Sequence, residues 1–191
     1  MTPFEHLAVL ISIVIGLAIT QLLISVQRLV QAREQVRFYW LPILWTAVLF
    51  VAQVEWWWGI WGQRNDVSWN FFYFLYLLLV PVVLFLAAAF VLPDVSTEVA
   101  TRETCDLREY YYRWRGWLFG TLALNPALDG VRHHWAEARP WSDAAVWTNL
   151  VGAALVVSLA FSRRAWYHGI VSVVVSGIFF YFIVSQALLL R

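Results

Sequence analysis

The sequence predicts an all-α protein, a polytopic transmembrane helical bundle of about six spans, and three observations support this prediction. First, 62% of the 191 residues are hydrophobic and only 13% are charged, whereas soluble domains carry roughly 25% charged residues. Second, the apolar residues come in long runs, most of them near the roughly 20 residues that a membrane-spanning helix needs. Third, the arginines fall mainly in alternate connections. We therefore expect a single integral membrane domain over residues 1–191.

Five of the apolar runs have the length and composition of complete membrane spans. They cover about residues 7–30, 39–61, 69–92, 144–161 and 166–190. A sixth run, at about residues 114–128, is shorter and contains Asn125 and Pro126. Because proline removes a backbone hydrogen bond and polar groups are costly in lipid, we expect this fourth span to be the weakest, or to be a short, broken or re-entrant helix.

Polar residues mark two of the expected helix starts. Thr2, Pro3 and Glu5 have the spacing of a capping box, with proline at the first helical position, so the first helix should begin almost at the start of the chain. Asp106 and Glu109 repeat the three-residue separation in DLREYYYRWRGW. This second pair predicts a helix that begins at the membrane surface and runs directly into the fourth span.

The arginines predict the orientation. With six spans and the N-terminus outside, nine of the 13 basic residues lie on the cytoplasmic side and four outside, as the positive-inside rule requires. The nine are Arg28, Arg33, Arg37, Arg102, Arg108, Arg113, Arg115, Arg163 and Arg164. Without a fourth crossing the last two would move outside, so the charge balance favours six crossings. Both termini are then expected outside the membrane.

Composition and motifs also argue against several classes of protein. The net charge is +1 and no basic cluster lies in a plainly soluble segment, which argues against nucleic-acid binding. All basic residues are arginine, so no lysine can form a Schiff base. The single cysteine, Cys105, has no partner for an intramolecular disulfide. The sequence also lacks a glycine-rich phosphate loop and a nucleophile elbow, so we lean against an enzyme but leave the question open.

The stretch VEWWWGIW at residues 54–61 is the first candidate site. It places one carboxylate, Glu55, beside Trp56, Trp57 and Trp58 inside the second span. An ionisable group at this depth is expensive and usually faces protein or water. We expect Glu55 to bind a proton or a ligand, with its pKa raised by burial. The alternative is a structural, hydrogen-bonded acid near the interface, beside an ordinary belt of tryptophans.

Two neighbouring stripes of small and polar residues follow the first span. The first stripe is Ser12, Gly16 and Thr20, and the second is Gln21, Ser25 and Arg28. The helical spacing predicts that both face the interior of the bundle. The first stripe is typical of close helix packing, whereas the second either lines a polar pathway or also serves packing. Gln21 and Arg28 are therefore added to the candidate binding residues.

Small residues recur on the sixth span, and a proline lies within the third. Ser172, Ser176 and Gly177 form a small-residue face comparable to the one on the first span. Pro81 should kink the third span and free a backbone carbonyl near Leu77. Kinks of this kind are common in membrane helices and do not by themselves indicate a gate.

The histidines provide a candidate metal site. His133, His134 and Glu137 have helical spacing, and the predicted topology puts them on the outer side together with His6. Such residues are suitable ligands for zinc or another transition metal. A polar periplasmic loop is the simpler interpretation, because the fixed context of an HExxH motif is absent. His168 is expected at the opposite membrane face, and no metal, haem or other cofactor is favoured.

The run LAVLISIVIGLAITQLL followed by RLV, the WW pair of the second span and the DLREYY segment resemble small multi-pass inner-membrane proteins of bacteria that have no assigned function. The resemblance covers most of the chain and rests on hydrophobic motifs. It implies a location in the bacterial inner membrane and points to no functional residue.

The leading functional hypothesis is a non-enzymatic integral membrane protein. It is either a small channel or transporter-like bundle, or a subunit that assembles with itself or with other membrane proteins. One alternative is a membrane-embedded metal or redox enzyme that uses the outer histidines. Another is a protein that binds a pigment, a quinone or a lipid among its tryptophans. In each case the bilayer is a partner, and any site is expected to open outwards.

Overall fold

The computed structural model describes residues 3–60, 71–102, 104–135 and 140–189, and over these it is almost entirely helical. The prediction of an all-α fold is confirmed. In chain order the elements are α1 (Pro3–Gln31), a 3-10 turn (Arg33–Gln35), β1 (Val36–Arg37), α2 (Trp40–Ile60), α3 (Phe71–Val91), α4 (Val95–Arg102), β2 (Cys105–Asp106), α5 (Leu107–Trp135), α6 (Ala144–Phe161) and α7 (Ala165–Leu189).

Four of the described helical segments are long and apolar enough to cross a membrane. They are Glu5–Gln31, Trp40–Ile60, Phe71–Ala100 and Ala165–Ser185, and a shorter apolar helix covers Val146–Phe161. Large apolar side chains project from these helices, with Phe72 exposed by 80% and Tyr181 by 76%. An extensive apolar exterior of this kind suits lipid better than water.

Over the residues that the structure describes, each of the six predicted apolar runs coincides with a helix, and the fourth differs in detail from the expectation. α5 is one continuous helix of 29 residues that passes through Asn125 and Pro126, so the expected break is absent. An interior proline removes only one backbone hydrogen bond, and neighbouring turns can carry the helix through it.

The predicted helix starts are largely as expected. The carboxylate of Asp106 accepts hydrogen bonds from the backbone N–H groups of Arg108 (2.9 Å) and Glu109 (3.1 Å), which makes Asp106 the N-cap of α5. The Glu109 carboxylate instead binds Arg102 and Arg113. The described part of α1 begins at Pro3, whereas Thr2 lies outside the described residues.

The chain divides into two compact units, Met1–Trp114 and Arg115–Arg191. In the N-terminal unit, α1, α2 and α3 pack around a core formed by Leu7, Ile11, Ile15, Ile60 and Leu77. Burial of large aliphatic side chains along one stripe of each helix favours this association. The predicted runs of the first three spans therefore form one packed group.

A second, smaller core lies at the far end of α1. Val95, Cys105 and Leu107 are buried there, with Val36 and Tyr39 packed against them. β1 and β2 pair in parallel, with Val36 opposite Cys105 and Arg37 opposite Asp106. These contacts attach the connection after α1 to the segment that leads into α5. Neither strand was predicted from the sequence, because two residues are too few to show the alternation of apolar and polar residues that marks a strand.

In the C-terminal unit, α6 and α7 are joined by a tight connection. The Ser158 and Tyr167 hydroxyls lie 2.6 Å apart across it, and His168 Nε2 lies 3.1 Å from the carbonyl oxygen of Ser162. Near the end of α5, Gly130 lies so close to α6 that a Cβ there would be 3.3 Å from Leu150. Glycine thus permits the close approach of these two helices.

Candidate functional site

The three consecutive tryptophans of α2 point in different directions, because successive residues of an α-helix are separated by about 100°. Trp56 is partly buried and packs against the core of the N-terminal unit. Trp57 is 40% exposed, and its indole N–H donates to Ser12 Oγ at 3.1 Å. Trp58 is 64% exposed. The structure therefore places only Trp56 against the interior, and the three rings do not line a common pocket.

Gln53 is the polar residue that α2 buries most completely. Its exposed fraction is 0%, and among the described residues neither its amide nitrogen nor its amide oxygen has a hydrogen-bond partner. One turn further along the same face, the buried indole N–H of Trp56 also has no partner in the described part of the chain. We call Gln53 and Trp56 the inner polar pair.

The inner polar pair lies well inside the predicted span. With a rise of about 1.5 Å per residue, Gln53 is roughly 10 Å from Ile60 at one end of α2 and roughly 20 Å from Trp40 at the other. The hydrogen bond joins Trp57, near the end of α2, to Ser12, near the start of α1, as expected for an antiparallel pair of helices. Two donor groups, the Gln53 NH2 and the Trp56 indole N–H, and one acceptor group, the Gln53 carbonyl oxygen, are thus held on a buried helix face.

Gln53 was not among the residues predicted from the sequence, although its burial could be read from the spacing of the large apolar residues of α2. Trp45, Leu49, Trp56 and Ile60 stand at −8, −4, +3 and +7 relative to Gln53, and these residues form the buried stripe of α2. The predicted candidate, Glu55, lies away from the centre of this stripe and is only partly buried. A comparison of helix faces would have ranked Gln53 above it.

The structure corrects the prediction for the first stripe on α1. Ser12, Gly16 and Thr20 are exposed, whereas the buried face of α1 consists of apolar residues and Ser25. The hydroxyls of Ser12 and Thr20 donate to the carbonyl oxygens of Ala8 and Gly16, both at 2.7 Å. Because these hydroxyls are satisfied within their own helix, they do not require a polar interior.

The second α1 stripe is partly internal. Ser25 is buried and donates to the carbonyl oxygen of Gln21 at 2.9 Å, while Gln21 itself is half-buried. Arg28 lies at the exposed end of α1, where its Nη1 is 3.0 Å from Oδ2 of Asp94. The three residues therefore differ in burial, from the buried Ser25 to Arg28 at the exposed end of α1. They do not line one continuous surface.

A polar seam occupies the C-terminal unit. His168, Ser172 and Ser176 are buried at intervals of four along α7, and the ring of Phe119 on α5 lies 5.9 Å from that of His168. Among the described residues, Ser176 Oγ and Asn125 Oδ1 have no hydrogen-bond partner. The predicted small face of α7 is thus internal at Ser172 and Ser176, but Gly177 is exposed.

Four charged side chains form a network of ion pairs at the arginine-rich end of the N-terminal unit. Arg102 and Arg113 each contact both Glu98 and Glu109, with separations from 2.5 to 4.0 Å, so that the four alternate in sign around a closed ring. Hydrogen bonding and charge attraction from Arg102, and then Arg113, hold the pKa of Glu109 below its ordinary value. This ionic ring ties α4 to the first turns of α5.

Two titratable groups beside the ionic ring are buried. Burial, with smaller contributions from Glu98 and Asp106, raises the pKa of the Cys105 thiol to about 11. Burial also raises the pKa of Tyr110 to about 12, and its hydroxyl donates to the carbonyl oxygen of Leu92 at 3.2 Å. A thiol in this environment stays protonated at neutral pH and is a poor nucleophile.

The predicted metal ligands are only partly described. His6 lies near the start of α1, and the backbone of His133 and His134 forms the end of α5, but Glu137 lies outside the described residues. Within the described residues no group of three or more histidine, cysteine, aspartate or glutamate side chains could hold a metal ion. The metal site stays a prediction from sequence.

In the inner polar pair, the Gln53 amide NH2 and the Trp56 indole N–H can donate hydrogen bonds and the Gln53 carbonyl oxygen can accept. Neither side chain is charged at neutral pH. The pair therefore suits an uncharged molecule that carries both a donor and an acceptor. In comparisons with known proteins, no family model matches the chain, and neither a curated protein nor a solved structure matches it.

Proposed function

We propose that the chain is an integral protein of a bacterial inner membrane, with six spans and both termini outside, that acts as a small transporter-like bundle. Its solute is a small uncharged polar molecule, with water the smallest candidate, and the Gln53 amide is the group that binds it. The observation that carries this proposal is the complete burial of an unpartnered amide in a helix of membrane-spanning length.

Energetics support a bound polar molecule beside Gln53. Burying an amide without a hydrogen-bond partner costs roughly 1–3 kcal/mol in proteins. A molecule that accepts from Gln53 Nε2 and Trp56 Nε1 and donates to Gln53 Oε1 would remove this penalty. Buried waters typically make about three such bonds. An apolar side chain at position 53 would avoid this cost entirely, so the presence of an amide there favours a role in binding.

The surroundings of Gln53 favour a neutral ligand. The other residues of the buried stripe, including Trp45, Leu49 and Ile60, bring no charge to it. An ion at this depth would have no counter-charge on that stripe, and uncompensated charge is very costly there. In the proposed topology Glu55 and Trp57 lie nearer the outer membrane face than Gln53. Gln21 and Arg28 lie towards the cytoplasmic face.

Flux through reconstituted vesicles tests the proposal. Purified wild-type protein in proteoliposomes should raise the permeability to water or to a small polyol above that of empty vesicles, and Gln53→Leu should remove the increase. Gln27→Leu is the matched control, because Gln27 is an exposed glutamine of α1. Background permeability of the wild type, or an unchanged increase in Gln53→Leu, would overturn the proposal.

A second candidate function is self-assembly through α1. The exposed stripe of Ser12, Gly16 and Thr20 supports it, since small residues on the outside of a membrane helix allow a second helix to approach closely. A Cβ at Gly16 or at Gly120 would meet nothing within 4 Å, so substitution at either position is compatible with the fold of one chain.

Light scattering of the detergent-solubilised protein tests self-assembly. Wild-type protein should be an oligomer, Gly16→Leu should shift it to the monomer, and the control Gly120→Leu should leave its mass unchanged. A monomeric wild type, or equal mass for all three proteins, would contradict this second function without affecting the proposal for Gln53.

A further inference from the structure

A cavity of about 490 Å³ opens at the arginine-rich end of the N-terminal unit. Its polar lining includes Arg28, Gln31, Arg33 and Gln35 from the end of α1 and the turn after it, and Val95 and Val99 of α4 contribute an apolar wall. Its volume falls within the roughly 300–1,000 Å³ of small-molecule sites. The cavity can therefore hold a group considerably larger than a single ion.

The lining is rich in hydrogen-bond donors. A guanidinium has five N–H donors, so the contact of Arg28 Nη1 with Asp94 Oδ2 leaves Arg28 able to bind a further acceptor. Arg33 adds a second guanidinium, and Gln31 and Gln35 add two carboxamides. Oxygen-rich anions such as phosphate esters match this donor set.

The acidic residues limit the charge of a suitable ligand. Glu34 also lines the cavity, and Asp94 lies beside Arg28. Two guanidiniums are thus opposed by two carboxylates, and the local field does not favour a multiply charged anion. A phosphodiester carries a single negative charge, and it fits this balance better than a phosphate monoester does.

The position of the cavity favours a lipid as the source of the phosphodiester. It lies where α1 ends, and α1 is among the helices long enough to cross a membrane. Val30, in the last turn of α1, is 54% exposed, and Leu23, two turns earlier on the same face, is 56% exposed, so an apolar surface extends along α1 from this end. A donor-rich cavity above an apolar helix surface matches the two ends of a phospholipid.

We propose that this cavity binds the phosphodiester head group of an anionic phospholipid of the cytoplasmic leaflet. The inference rests on the membrane placement proposed above, but it does not involve Gln53. Arg33 provides the main charge-assisted hydrogen bonds, the glutamines orient the head group, and Glu34 weakens binding by repulsion.

The test is a calorimetric titration of the purified chain in an uncharged detergent with short-chain phosphatidylglycerol. Phosphatidylcholine of the same chain length and sodium phosphate are titrated in parallel. The variants are Arg33→Gln, Glu34→Gln and the control Arg163→Gln, which changes an exposed arginine outside the cavity lining. Circular dichroism verifies that each variant is folded.

Saturable binding of one phosphatidylglycerol per chain is expected. Arg33→Gln should weaken it by about tenfold or more, as expected for losing a charge-assisted hydrogen bond, whereas Glu34→Gln should strengthen it and Arg163→Gln should leave it unchanged. Absence of saturable binding, equal affinity for sodium phosphate or phosphatidylcholine, or equal loss in Arg163→Gln would overturn the inference. Normal lipid binding without flux through vesicles would overturn only the function proposed for Gln53.

Discussion

Gln53 and Trp56 lie one helical turn apart on the buried face of α2, and their side-chain amide and indole N–H have no hydrogen-bond partner within the described residues. Buried polar groups in proteins are nearly always paired. The proposed function rests on this relationship, because a solute bound beside Gln53 and Trp56 would supply the partners that the two groups lack.

Removing the Gln53 amide is predicted not to destabilise the protein. Gln53→Leu replaces an amide that has no partner in the protein by an apolar side chain of similar size, so the melting temperature should stay equal or rise. A water bound to the amide keeps this rise below the roughly 2–4 °C expected per kcal/mol of relieved desolvation. The measurement is thermal unfolding in detergent, with the exposed Gln27→Leu as control. A large fall in melting temperature for Gln53→Leu would indicate that its amide makes an essential structural bond.

The fourth span is predicted to cross the membrane. In a cysteine-free background made by Cys105→Ala, a thiol introduced by Ser142→Cys should react with an impermeant maleimide from outside the cell. A thiol introduced by Arg163→Cys should react only after the membrane is permeabilised. Both positions are exposed. Labelling of Arg163→Cys in intact cells would contradict the six-span topology.

The ionic ring is predicted to contribute modestly to stability. Glu98 and Arg113 are 3.1 Å apart, and their side chains are 19% and 37% exposed. Their coupling energy should be about 0.5–1 kcal/mol, the range of partly exposed pairs, and should decrease in high salt. A double-mutant cycle with Glu98→Gln and Arg113→Gln measures it. Zero coupling at low salt would contradict a contribution of this pair to stability.

Cys105 is predicted to become reactive only at high pH. Its pKa is raised from 9.0 to about 11, so the folded state holds the thiol proton more tightly than the unfolded state does. The corresponding stability is fully present below pH 9 and is lost as the pH rises through 11. The alkylation rate should therefore continue to rise towards pH 11.

The exposed thiol of Ser142→Cys in the Cys105→Ala background is the matched control for this reaction. Its alkylation rate should level off near pH 9, the ordinary range of a cysteine. If native Cys105 reached its plateau at the same pH as this control, the burial of the thiol in the second core would be contradicted.

The helices could be predicted from the sequence, because the mean hydropathy of about 20 consecutive residues does not depend on how those residues pack. All six apolar runs became helices, and Asp106 caps α5 as its three-residue spacing with Glu109 suggested. Details that depend on contacts distant in sequence were missed. The pairing of β1 with β2 is one example. The continuity of α5 through Pro126 was not predicted for a local reason, because the neighbouring turns carry the helix through the proline.

The burial of individual polar side chains was less predictable than the helices. The sequence led to Glu55, because a carboxylate is among the costliest groups in lipid, whereas the structure buries Gln53 more completely than Glu55. Which residue faces inward depends on the direction in which α1 and α3 pack, and this is not encoded in the local run of tryptophans. The same limit explains why Ser12, Gly16 and Thr20 were predicted inside and are exposed.

The water permeability of proteoliposomes tests the central claim most directly. Vesicles with wild-type protein and vesicles with Gln27→Leu should shrink in an osmotic step clearly faster than empty vesicles. Vesicles with an equal amount of folded Gln53→Leu should shrink at the rate of empty ones. Equal rates for wild type and Gln53→Leu, for water and for each small polyol tested, would contradict a role of the Gln53 amide in transport.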